Sequence, residues 1–161
     1  MMNNGCKICC NDLQMILLRI FNLKLGKTSC SALVHLYDEQ DGQGRLHHGQ
    51  LIALLKDVAM WTSVFNKYDA NTDGTLDIWE LRNAFQAGGT HINQHILKTI
   101  VRSHSGHLTL AEFVVCAIKT RKIIEQFSRH HLEQQGMVRY FLAMYDHVNN
   151  IAIYNHYMGN P

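Results

Sequence analysis

The sequence predicts an all-α fold: a tandem array of helix–loop–helix units whose loops meet in short β bridges. Three observations carry it. Residues 69–80 fit an ion-binding loop at every constrained position. The Gly-x-hydrophobe step inside that loop, Gly74 and Leu76, recurs as Gly44 and Leu46, Gly106 and Leu108, and Gly136 and Val138. The glycine spacings of 30, 32 and 30 residues match the length of one helix–loop–helix unit. The single proline is Pro161 and hydrophobic content is 47%, so long helices run without an internal break and a sizeable core is available.

The elements follow from apolar spacing. Asn11 is placed to cap a helix with Leu13, Ile16, Leu17 and Ile20 on one face. Ile8 and Asp12 then take positions eight and twelve of a first loop whose entering helix is missing, because the chain starts at Met1. Gly26 to Ser29 reads as a connection, with Ser29 capping a short helix that carries Leu33, Leu36 and Tyr37. From His48 to Tyr68, Leu51, Leu54, Leu55, Val58, Trp61, Val64 and Phe65 recur at helical spacing, so one long helix is expected to leave the second unit and enter the third. A shorter helix with Leu81, Ala84 and Phe85 ends at Gly88-Gly89, and another carries Ile96, Ile100 and Val101. A second shared helix is expected from Leu110 to Arg129, with Phe113, Val114, Ala117, Ile118, Ile124 and Phe127. The array is assigned to residues 1–146, with loops near 1–12, 39–50, 69–80, 101–112 and 131–142; residues 147–161 read as an irregular tail.

The central loop, Asp69 to Glu80, has a chemical reason at each place. Asp69, Asn71 and Asp73 offer side-chain oxygens at alternate positions, and Gly74 makes the turn that wraps the chain around an ion. Thr75 contributes a backbone carbonyl, Asp77 acts through a water, and Glu80 can close the shell with two oxygens. That supplies roughly the six to eight hard ligands of Ca²⁺.

The other loops are poorer. Loop two offers Glu39, Asp41 and Gln43 at positions one, three and five, Arg45 at the carbonyl position and Gln50 at twelve. A neutral amide stands where a bidentate carboxylate is wanted, so a weak site or none is expected. Loop four keeps Glu112 but has Val101, Ser103 and Ser105 at its ligand positions, and loop five has Glu133 and Gln135 before an apolar Leu142. Loop one has no acidic residue before Asp12. These loops read as structural mates, with Leu76 expected to face Leu108 across a bridge.

Net charge is +2, with 17% charged residues. No stretch groups Lys or Arg with aromatics in a patch fit for nucleic acid, and the run Lys119, Arg121, Lys122 reads as a solvated helix face. Lys7, Asp12 and Arg19 break the N-terminal apolar stretch, which argues against a signal peptide or a membrane span. Five cysteines without such a leader indicate a reduced, cytoplasmic protein. Cys6, Cys9 and Cys10 with His104 and His107 invite a zinc reading, but nothing fixes the two groups at tetrahedral distance. Cys30 and Cys116 lie in apolar helical stretches and read as core, and no cysteine has the surroundings of a catalytic thiol.

The array of hands with two long shared helices resembles the penta-EF-hand family, and most closely the C-terminal calcium-binding domain of calpains. The likeness is carried by Cys10-Asn11-Asp12-Leu13-Gln14-Met15-Ile16-Leu17, by Trp61 through Phe65 to Tyr68-Asp69, and by Phe113-Val114-Val115-Cys116. It covers residues 5–146. It implies that hands one and two pair, that three and four pair, and that the fifth hand dimerises with its like in another subunit. In calpains that dimer joins large and small subunits, and calcium helps to switch on a cysteine protease. The resemblance therefore implies Ca²⁺ as cofactor, a penta-EF-hand subunit as partner, a calpain-type protease core as a second partner, and no catalysis in this chain. Three features depart from the pattern: the truncated first hand, Gln50, and the end after Tyr145. The truncation suggests an isoform or a fragment. A mainly structural dimerisation subunit is the alternative function, and a fragment with chemistry of its own the weakest.

Overall fold

A computed structural model describes residue 5, residues 7–38 and 42–129, and residue 141. Loop five and the 147–161 tail lie outside the described residues, apart from Phe141, which is buried in the core. Among the described residues the order is α1 (Cys10–Phe21), α2 (Lys27–Tyr37), α3 (His48–Tyr68), β1 (Thr75–Leu76), α4 (Ile78–Ala87), α5 (Gln94–Ser103), β2 (Leu108–Thr109) and α6 (Leu110–Arg129). The two long shared helices thus span the residues their apolar spacing predicts.

The first two helices begin differently from expectation. The cap of α1 is Cys9, not Asn11: Asp12 reaches back from the first turn and its Oδ2 accepts the Cys9 N–H at 3.1 Å. A carboxylate in the first turn satisfies an end N–H and meets the positive end of the helix. Leu13 and Leu17 are buried as predicted, but Ile20 is exposed, since α1 has only one face against the rest. The helix stops at Asn22, which takes the left-handed conformation (φ 52°) that asparagine tolerates better than most residues. Ser29 does not cap α2; the extended Gly26 does, and its carbonyl receives the Cys30 N–H at 3.1 Å.

Pairing of the loops follows the repeat. Strands β1 and β2 are antiparallel, with Leu76 opposite Leu108 and Thr75 opposite Thr109. In the N-terminal half Ile8 and Leu46 exchange both backbone hydrogen bonds, at 2.9 and 2.8 Å. Each bridge sets two position-eight residues side by side; Leu46, Leu76 and Leu108 are fully buried and Ile8 packs against the core.

The core is centred on four rings from three helices. Trp61 meets Phe85 and Phe113 edge-on at centroid distances of 5.9 and 5.7 Å, and Phe113 also meets Phe65 and Phe85 at 5.8 and 6.0 Å. Edge-to-face rings add about 0.5–1.5 kcal/mol per pair to their burial. The halves are joined by polar contacts as well. The Tyr37 hydroxyl donates to Asp57 Oδ2, Arg121 pairs with Asp57 and Glu125 at 3.7 and 3.1 Å, and Lys122 Nζ lies 4.4 Å from the Tyr37 ring centre. Helices α2, α3 and α6 are thereby tied at the point where α2 enters loop two.

Candidate metal centre

Loop three starts where α3 ends. Asp69 is the C-cap of α3, with its N–H on the Phe65 carbonyl at 2.9 Å, and it turns the chain out of the helix (φ −73°, ψ 78°). Its Oδ2 accepts the Gly74 N–H at 3.0 Å, drawing the loop into a ring. Closure needs two left-handed residues, Thr72 at φ 53° and Gly74 at φ 81°. The glycine adopts that conformation freely, whereas a β-branched threonine is strained in it.

Oxygens line this ring. Asp73 Oδ1 accepts from the Thr75 N–H at 2.8 Å and from its hydroxyl at 3.0 Å, and the Asn71 amide donates to Asp73 Oδ2 at 3.0 Å. The bonds from Thr75 are the main reason the Asp73 carboxyl is held below its ordinary pKa, with His107 of loop four adding a minor attraction. Asp77 caps α4, its Oδ1 accepting the Trp79 and Glu80 N–H groups at 2.9 Å each. Glu80 spans the ring: Oε1 accepts the Ala70 N–H at 3.2 Å and Oε2 the Asp77 N–H at 3.0 Å.

One atom of the ring stands apart. Asp69 Oδ1 is buried and has no hydrogen-bond partner. A buried carboxylate oxygen without a partner is costly, and a cation is the natural remedy. The donors around it are all oxygen, which suits calcium better than zinc or copper. Among the described residues no three His, Cys, Asp or Glu side chains stand as a ready-made metal cluster. The loop's carboxylates are turned onto its own N–H groups, so the predicted ligands share one ring without being preassembled around one point.

The other loops repeat the framework with different atoms. At position twelve, Asp12, Gln50, Glu80 and Glu112 all return to the N–H three residues before, on Cys9 (3.1 Å), His47 (2.9 Å), Asp77 (3.0 Å) and Thr109 (3.4 Å). Gln50 therefore fills the capping role in full while lacking the second charged oxygen. At the position-six N–H the loops diverge. Gly44 donates to Asp38 Oδ2 at 2.8 Å, as Gly74 does to Asp69, whereas Gly106 donates to the backbone carbonyl of Val101 at 2.9 Å. Loop four thus closes on its own main chain and has no carboxylate at its head.

The bond from Gly44 corrects the register of loop two. Counting back from Gly44 puts Glu39 at position one, but Asp38 makes the position-one contact. Like Asp69 it is the C-cap of the entering helix, and Gly42 and Gly44 (φ 60° and 70°) repeat the pair Thr72 and Gly74. Asp38 and Gly44 lie six positions apart where Asp69 and Gly74 lie five, so loop two is one residue longer by this contact. Glu39 and Asp41 lie outside the described residues; Gln43 and Arg45 are described and exposed, and Gln50 is the cap. The sequence held the signal, since Tyr37-Asp38 repeats Tyr68-Asp69. Of the cysteine group, Cys6 lies outside the described residues, Cys9 and Cys10 are half-buried, and Cys30 and Cys116 are buried.

Paired helix–loop–helix hands, with one loop bearing a full set of oxygen donors, define a tandem EF-hand domain. Comparison with known proteins narrows the class. The chain is 36% identical over 104 residues to Calpain-B of Drosophila melanogaster, covering 63% of this chain and 11% of that protein. It is 28% identical over 123 residues to calpain small subunit 1 of Rattus norvegicus, covering 73% of this chain and 45% of the relative. Among solved structures it is similar to a homolog of programmed cell death 6 protein from Leishmania major Friedlin, with a TM-score of 0.60, 20% identity, and coverage of 83% of this chain and 74% of the other; this likeness shows the fold. No family model matches. The chain is homologous to the penta-EF-hand region of calpains and of the calpain small subunit. It spans half or less of the length of these curated relatives.

Proposed function

We propose that this module is a calcium-responsive regulatory and dimerisation unit with one strong Ca²⁺ site in loop three. Asp69, Asn71, Asp73 and Glu80 would hold the ion through side-chain oxygens, Thr75 through its carbonyl, and Asp77 through a water. The observation that carries this is the buried, unpartnered Asp69 Oδ1 inside an all-oxygen ring. A bound Ca²⁺ supplies charge compensation and a reason for the ring's oxygens to converge. Glu80 links that event to structure, because it caps α4 and touches the Ala70 N–H across the ring. Drawing its carboxylate inward moves the start of α4 relative to α3. The partners that fit are a second penta-EF-hand subunit, joined through the fifth hand, and a calpain-type protease core, in the cytoplasm. Among the described residues no helix is long and apolar enough to cross a membrane.

A mainly structural role is favoured by one feature: the position-twelve cap and the loop bridges persist where the ligand set is gone. Calorimetric titration with calcium, on the natural chain and on Glu80→Gln, tests the site. One dominant site greatly weakened by the substitution supports it; two equally strong sites, or an unaffected one, sink it. Near-UV circular dichroism and sedimentation with and without calcium then separate the two roles. A calcium-driven change in either supports regulation, and no change in both leaves the structural role.

A further inference from the structure

Helix α1 turns a second apolar face away from the molecule. Leu13 and Leu17 are buried against the rest, while Met15 and Leu18 are 51% and 42% exposed. Asn11, Met15 and Leu18 are spaced by four and three residues, so they line one stripe of the helix, and Asn11 is exposed as well. Ile20 lies on another side of the helix. We propose that this stripe is a homotypic contact, on which α1 of a second copy packs antiparallel.

The charges beside the stripe choose that occupant. Asp12 follows Asn11 and Arg19 follows Leu18, so both stand on the same flank of the stripe, about two turns apart, and both are exposed. Two antiparallel helices related by a two-fold axis bring like flanks together. Met15 then meets Leu18 of the second copy, and Asp12 comes level with Arg19 twice, once on each side of the axis. A parallel pair would set Asp12 level with Asp12 and gain neither contact. Both groups have charge to offer. Asp12 spends Oδ2 on the Cys9 N–H at 3.1 Å, and Arg45 of loop two is the least of the influences on its carboxyl. Arg19 takes no part in the described ion pairs, which belong to Arg121. The stripe thus carries a charge pattern complementary to its own copy, laid beside apolar side chains that nothing described covers.

Sedimentation equilibrium of the full chain, from micromolar to millimolar concentration, reads the pairing as a doubling of mass above that of the smallest species. Two helices of 12 residues make a small contact, so a dissociation constant on the order of 10⁻⁴ M is expected. Leu18→Lys puts a charge into the stripe and should weaken pairing about tenfold or more. Arg19→Glu and Asp12→Arg each turn both attractive pairs repulsive, and each alone should weaken it about tenfold. Mixed in equal amounts, these two variants regain complementary flanks and should pair within about threefold of the natural chain. Calcium binding and far-UV circular dichroism serve as folding controls, because Asp12→Arg also removes a cap of α1. If that variant fails to fold, Leu18→Lys and Arg19→Glu decide, since both positions are exposed. No doubling in the natural chain, doubling that the variants retain, or loss in the single variants without rescue on mixing overturns the proposal. The changes all lie outside the fifth-hand loop at 131–142, so a mass step common to every variant belongs to that hand and leaves the calcium-module reading standing.

Discussion

Asp38 holds the Gly44 N–H at 2.8 Å just as Asp69 holds that of Gly74 at 3.0 Å, although six residues separate the first pair and five the second. The helix end and the position-six turn are therefore kept, and the extra residue is taken up between them. Asp38→Ala should destabilise the protein by about 1–2 kcal/mol, because a part-buried N–H to carboxylate bond is lost. Glu39→Ala should change stability by less than about 0.5 kcal/mol. Urea denaturation of the two variants checks the assignment, and the reverse order would restore Glu39 to position one.

Glu80 has two duties that substitution can separate. A glutamine keeps one carbonyl oxygen for the Asp77 N–H, as Gln50 does for His47. Without calcium, Glu80→Gln should lie within about 0.5 kcal/mol of the natural chain, whereas Glu80→Ala should lose about 1 kcal/mol with the cap. Both should lose most calcium affinity. Denaturation in chelator beside calorimetry reads the two effects, and equal loss of stability by Gln and Ala would refute the separation.

Gly88 is pressed against Trp61. A Cβ on residue 88 would lie 2.3 Å from both Cη2 and Cζ3 of the indole, which is fully buried at the centre of the aromatic core. The backbone is unstrained there (φ −76°), so space alone excludes a side chain. Gly88→Ala should cost about 1–3 kcal/mol by overpacking, with a changed near-UV signal from Trp61. Gly89→Ala meets no atom within 4 Å but carries a left-handed φ of 78°, so its penalty comes from backbone strain and leaves the tryptophan signal alone.

Burial pushes the Cys30 thiol up to about 11, with the neighbouring Cys10 adding to the shift. At pH 8 only about one Cys30 in a thousand is thiolate, so it should react with iodoacetamide at least tenfold more slowly than half-buried Cys9 and Cys10. Mass spectrometry of a labelling time course measures the order. Equal rates would show that α1 and α2 open readily.

What the sequence by itself determined was the framework. Apolar spacing set both long helices, since Leu54, Val58, Trp61 and Phe65 can share one buried face only as a helix. The glycine repeat set which hydrophobes pair, because position eight lies in the bridge where two such loops meet, and Leu76 lies opposite Leu108 accordingly. The ligand types of residues 69–80 were legible for a similar reason, as each is required by its place in a ring around one ion.

Tertiary structure decided what each polar group does. Asn11 and Ser29 have good capping chemistry, yet Cys9 and Gly26 take those places, because the Ile8–Leu46 bridge and the packing of α1 on α2 fix where each helix begins. A count along the chain cannot see an inserted residue, so the register of loop two emerged only from the bond between Asp38 and Gly44. Whether a carboxylate faces an ion, an N–H or nothing is likewise set by neighbours distant in sequence. That is why Glu80 reads as a ligand and stands as a cap, while Asp69 Oδ1 is left buried and bare.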